Sequence, residues 1–66
     1  MESNNNVIKL MQDMEKVIMP CIEDVQKFVE GNNSAGTRVR KYMQEVKHLA
    51  QEVRKEVQRQ KNMAAV

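Results

Sequence analysis

Apolar side chains recur at Val7, Met11, Met14, Ile18, Cys21, Val25 and Phe28, in alternating steps of four and three residues, with Leu10, Val17, Ile22 and Val29 beside them. Such spacing returns to one side of a helix of about 3.6 residues per turn. It predicts an amphipathic helix with a broad apolar face over about residues 4–30. The rhythm resumes at Val39, Met43, Val46, Ala50, Val53 and Val57, flanked by Tyr42 and Leu49, and predicts a second helix over about residues 35–61 that frays through the final NMAAV. Pro20 interrupts the first pattern. A proline removes one backbone donor and crowds the preceding turn, which kinks a helix or ends it. The apolar phase carries on across Pro20, so one helix kinked near Ile18–Pro20 is expected, with two separate helices as the alternative.

Between the two patterns lies GNNSAG, residues 31–36, a suitable length for a tight helix–helix turn. Gly31 fits the left-handed position after a helix end. Asn33 or Ser34 can accept a bond from the free N–H groups that open the next helix. The expected fold is therefore all-α: one domain, residues 1–66, formed by an antiparallel two-helix hairpin. Both apolar faces are wider than two helices can hide from water, and single cores of this size are marginal. Self-association follows as an expectation, with two hairpins sharing a core as a four-helix bundle, and a homodimer or higher oligomer as the working form.

Composition narrows the function. With two Gly, one Pro and only Phe28 and Tyr42 as rings, long helices are easier to build than a small barrel. No apolar run approaches the roughly 18 residues of a membrane span, and the opening MESNNN lacks the basic flank of a secretory signal, so the chain reads as soluble and intracellular. Cys21 is the sole cysteine, which excludes an internal disulfide and a cysteine-based zinc site and suits a small core residue. His48 is the sole histidine, has no neighbouring candidate ligands, and is expected at the surface. No nucleophile–base set, phosphate loop or paired carboxylates stand out, so neither an enzyme nor a cofactor, metal or small-molecule ligand is expected.

Charge changes the picture more. Residues 1–33 carry three Lys against six acids, a balance of −3, while residues 34–66 carry eight Lys and Arg against three Glu, a balance of +5. Such asymmetry points to a nucleic-acid or membrane partner. On the second helix Arg40, Lys47, Arg54 and Lys61 are seven apart and form one basic column; Lys41, His48 and Lys55 form the next, and Arg38 and Arg40 sit by the helix start, where free N–H groups attract anions. Cations repeating every ~10.5 Å along a helix can follow a line of phosphates. The same stripe also suits a solvated face or one that meets an acidic neighbour. Nothing resembles a base-reading helix-turn-helix, zinc or aromatic RNA signature, and an amphipathic membrane-surface helix is disfavoured by the lack of Trp and scarcity of Phe.

The junction Gly31-Asn32, Ala35-Gly36-Thr37-Arg38, Arg40-Lys41, followed by Arg54-Lys55, resembles the chlamydial histone-like (linker-histone-like) nucleoprotein family, over roughly residues 25–57. The resemblance implies a helical protein that binds and compacts DNA without strong sequence preference, with Arg38, Arg40, Lys41, Arg54 and Lys55 at matching positions. Members often end in a long basic tail, whereas this sequence ends Met63-Ala64-Ala65-Val66, so either a weaker binder that relies on oligomer avidity or a relative that has moved to protein assembly is expected. The leading expectation is a small histone-like, nucleoid-associated protein whose DNA-binding residues are Arg38, Arg40, Lys41, Lys47, Arg54, Lys55 and Lys61 and whose partners are duplex DNA and itself. The runner-up is a helical oligomerisation or adaptor module with a protein partner.

Overall fold

A computed structural model describes residues 5–64. Two helices, α1 (Asn6–Val29) and α2 (Asn33–Ala64), pack against each other as an antiparallel hairpin 53 Å long and 12 Å in its thinnest dimension. Among the described residues there is no strand. The expected all-α hairpin is therefore the fold. The expected start of the first helix near residue 4 lies outside the described residues.

α1 opens with Asn5 as its cap, whose side chain accepts the Val7 N–H at 2.8 Å. It runs without interruption through Pro20, which is exposed, so a single helix rather than two spans the proline. Its end is a Schellman turn: the Asn32 N–H reaches the Lys27 carbonyl and the Gly31 N–H the Phe28 carbonyl, both at 2.9 Å. Gly31 adopts φ 110° there, the left-handed role foreseen for it.

The turn is shorter than residues 31–36. α2 begins at Asn33, and Asn32, rather than Asn33 or Ser34, accepts the Ala35 N–H, at 3.0 Å. Gly36 thus lies inside α2. A Cβ there would stand 2.6 Å from Cδ1 and 2.8 Å from Cε1 of Phe28, so the missing side chain admits the Phe28 ring against the helix backbone. At the other end, Asn62–Ala64 continue the helix where fraying was expected, and Ala65 and Val66 lie outside the described residues.

The two helices meet along a row shifted from the one foreseen. On α1 the buried and half-buried positions are Val7, Leu10, Asp13, Met14, Val17, Cys21 and Asp24; on α2 they are Ala35, Gly36, Val39, Tyr42, Val46, Leu49, Ala50, Glu52, Val53, Glu56 and Gln60. Among the described residues the only buried apolar ones are Cys21, at 3% exposed, and Ala35, at 0%. Met11, Ile18, Val25, Phe28, Met43 and Val57, assigned by periodicity to the seams, are exposed. The reason is geometric. Each apolar face is wide enough for two adjacent rows, one row closes the hairpin, and the other is left on its flank.

Two polar clasps bracket this thin seam. Near the turn, Arg38 donates from Nε at 3.0 Å and from Nη2 at 2.9 Å to Oδ1 of buried Asp24. At the open end, Asn5 and Gln60 exchange side-chain amide bonds of 3.1 and 3.2 Å, and Gln60 also donates to Glu56 at 3.0 Å. Arg59 forks onto the same Glu56 carboxylate. Hydrogen bonding from Arg38 holds the Asp24 carboxyl below its usual range. Bonds from Arg59 and Gln60 hold Glu56 at about 2. Both groups are therefore ionised at neutral pH, and each is compensated where it is buried.

Candidate nucleic-acid interface

The side of α2 that faces away from α1 is the candidate site. Successive turns place Arg40, Lys47, Arg54 and Lys61 in one exposed column and Lys41, His48 and Lys55 in another. Exposed Gln44, Gln51 and Gln58 run between them. Side chains of the two columns share shallow grooves: Thr37, Arg40, Lys41 and Gln44 line one, and Gln44, Lys47, His48 and Gln51 line the next. No carboxylate lines either groove. Among the described residues Arg40, Lys41, Lys47, Arg54 and Lys61 form no ion pair. Their charges face water without a partner, and such a surface attracts polyanions in a salt-dependent way.

The other named residues are placed differently. Lys55 sits 3.7 Å from Glu52, a long and exposed contact of little energetic weight that leaves the ammonium exchangeable. Lys61 lies at the edge of a groove it shares with Val7, Ile8 and Val57, beside an apolar surface. Arg38 is apart from both columns: its guanidinium is held toward α1 by Asp24, although 46% of the side chain remains exposed. The structure thus brings Arg40, Lys41, Lys47, Arg54 and Lys55 onto one face, adds Lys61 at its rim, and takes Arg38 into the hairpin's own ion pair.

Arg38 therefore has a structural test. Arg38→Gln leaves the Asp24 carboxylate buried without its cation, and an unsatisfied buried acceptor is costly. The thermal midpoint of this variant, followed by circular dichroism, is expected to fall by about 5–10 °C. The corresponding Arg40→Gln change, on the open face, is expected to leave the midpoint within about 2 °C. Equal midpoints for the two variants would show that the Asp24 clasp does not support the fold.

Sequence reasoning missed Thr37 and the glutamine column. Gln44, Gln51 and Gln58 carry the same seven-residue spacing as the cations, and that signal was available. An uncharged amide between two basic columns can donate to phosphate or sugar oxygens without adding charge, which suits positioning on a backbone rather than reading of bases. His48 is exposed, as expected, and lines the groove with Lys47. Among the described residues no set of His, Cys, Asp or Glu is grouped to hold a metal, and no helix is long and apolar enough to cross a membrane.

No curated protein and no solved structure gave a significant match to the chain. A family model did: the one described as histone H1-like protein Hc1, over residues 8–63, which contains both basic columns, the glycine–arginine junction and nearly all of the hairpin. The resemblance read from the junction is borne out, and with the match running through both helices the chain belongs to the histone H1-like Hc1 family.

Proposed function

We propose that this protein binds duplex DNA without strong sequence preference through the outward face of α2, that it acts as a self-associated helical assembly, and that it contributes to DNA compaction, in the nucleoid if its host is bacterial. One observation carries the reading: two parallel basic columns, unpaired but for the weak Lys55–Glu52 contact, stand on one face with no carboxylate in the grooves between them. Membership of a histone H1-like family supports it. The contacts available are flexible cations and amides on an uninterrupted helix. They match the repeating phosphates of any duplex and have no preference for a base edge.

Self-association is supported by surface area. The chain exposes 5449 Å². A compact monomer of its 7.7 kDa mass would expose roughly 4,300 Å². The excess of about 1,100 Å² is of the size that one partner of a standard interface buries, about 800 Å². Two chains joined this way would also present two basic faces, and avidity would multiply the weak affinity of each.

The test is a titration of two unrelated 20-base-pair duplexes at 50 and 200 mM salt, read by fluorescence anisotropy. With three phosphate contacts per chain, affinity should fall roughly 40-fold across that interval, equally for both sequences. Absence of binding at the lower salt, or binding that ignores salt, would overturn the reading in favour of a helical adaptor for a protein partner.

A further inference from the structure

Most of the exposed apolar residues step the same way off the hairpin seam; Met19, Phe28 and Met63 lie elsewhere. On α1 four of them follow a seam position by one residue: Met11 after Leu10, Ile18 after Val17, Ile22 after Cys21, Val25 after Asp24. On α2 the same step reaches exposed Met43 and Val57, after Tyr42 and Glu56, and half-buried Ala50 after Leu49. One residue is a 100° turn. In an antiparallel pair, equal turns away from facing seams bring both rows to the same side. Ile8 and Val57 accordingly line one groove. The opposite side, reached by stepping back one residue, carries Asp13, Lys16, Glu23, Arg38, Glu45 and Glu52. One side of the flat hairpin is thus apolar and the other is charged.

The apolar side is not uniform. Its α1 row reads Ile8, Met11, Glu15, Ile18, Ile22, Val25, Val29, with one acid and no cation. Its α2 row reads Arg40, Met43, Lys47, Ala50, Arg54, Val57, Lys61, alternating cations with apolar residues and holding no acid. Two copies can close this face with a two-fold axis in either of two directions. An axis across the helices sets α2 on α2′ and brings the two cation rows together with nothing to neutralise them. An axis along the helices sets α2 on α1′. The cation row of each copy then covers the acidic helix of the other, with the aliphatic stems over Ile8, Ile22 and Val29 and the charged heads at the rim.

The register supports the second arrangement. Asn5 pairs with Gln60 and Asp24 with Arg38, so residues whose numbers sum to 62–65 stand at one height in the hairpin. Glu15, the single acid of the α1 row, stands at the height of Lys47. With the axis along the helices Glu15 of each copy meets Lys47 of the other on both edges of the assembly. With the axis across them, Glu15 faces only the apolar row of α1′.

Building on the self-association proposed above, we infer that the occupant of the apolar face is a second copy of this chain, set with α1 over α2′, every neighbouring helix antiparallel and both turns at the same end. All four helices then pack as an antiparallel bundle with axes about 8–10 Å apart. Like charge on the α2 row acts as the element that rejects the alternative pairing.

Spin labels decide it. In a Cys21→Ala background, Ser34→Cys places one label on the exposed first turn of α2 beside the hairpin bend. At ~200 µM the proposed dimer gives an electron–electron distance below about 30 Å, set by the width of the bundle. The alternative puts the turns at opposite ends of a body 53 Å long and gives more than about 40 Å. A second variant pair, Glu15→Cys with Lys47→Cys in the same background, should oxidise to a covalent dimer, whereas neither cysteine alone should. A dimer with the long distance overturns the proposed orientation and leaves self-association and DNA binding standing. A monomer by sedimentation equilibrium at that concentration overturns both the orientation and the self-association on which it rests.

Discussion

Cys21→Asp is expected to leave the chain largely unfolded at pH 7.5 and to recover much of its helix as the pH is lowered toward about 5. Cys21 is 3% exposed at the middle of the α1 seam. An ionised carboxylate placed there has no cation within the seam, and it stands one turn from Asp24, which is already charged and already claimed by Arg38. Desolvation and like charge both push the new carboxyl's pKa up. Folding is therefore favoured by its protonation, and stability rises as the pH falls through the raised value. The native carboxyls respond the other way. Glu56 titrates at about 2 and Asp24 is also held low, so their contribution is kept above the unfolded values and lost only on further acidification. Near pH 5 the new group is neutral while both clasps remain ionised, and the two effects separate. Cys21→Ala, which removes one sulfur and no charge, should fold at both pH values. Helicity by circular dichroism for the two variants at pH 7.5 and 5 provides the measurement. A Cys21→Asp chain as helical as its parent at pH 7.5 would show that the seam is open to water at its centre.

The fold was legible because its cues are local. Runs of four-and-three spacing, one glycine at a helix end and the absence of other breakers suffice for two helices and a turn. The seam was not, and Met11 and Leu10 show why. Both are apolar, they are adjacent, and either can serve a helix partner. Which of them meets α2 depends on how the two helices are set against each other, and that information is spread over both helices rather than held in either. The buried acids were missed for a related reason. Asp24 and Glu56 occupy seam positions, and only the placement of Arg38 in one case and Arg59 with Gln60 in the other makes their burial tolerable. Periodicity counts them as solvent residues.

The candidate site was legible to a greater degree. Columns seven apart on an uninterrupted helix fall on one face whatever the tertiary packing, so Arg40, Lys47 and Arg54 could be grouped from the sequence alone. Arg38 shows the limit. It lies in the same basic run, two residues before Arg40, but its direction is set by a carboxylate fourteen residues earlier. A helix-start cation and a hairpin clasp look alike until the two helices are put side by side.

Replacing Arg40, Lys47 and Arg54 together by Gln is expected to weaken duplex binding several hundred-fold at ~100 mM salt and to lower the salt slope by nearly three units per chain, since each lost phosphate contact accounts for about 0.9. The helix should persist, because all three residues are exposed in the hairpin and Gln is a good helix former. Sedimentation equilibrium checks that the variant keeps the parent's assembly state, in which this row is proposed to take part. Loss of binding alone does not distinguish a site from a general loss of charge, because the change also takes the formal net charge of +2 down by three. A matched variant separates them. Lys9, Lys16 and Lys27 are also exposed, lie on α1, and when replaced together by Gln remove the same charge from a helix that carries no basic column. If binding depends on the array along α2, this second variant should lose less than about tenfold and keep its slope within one unit, the residue of long-range attraction. Two variants that weaken equally would reduce the interface to net charge without geometry. A first variant that binds like the parent, with an unchanged slope, would remove the outward face of α2 from DNA binding altogether and leave its cations to solubility and to the rim of the assembly.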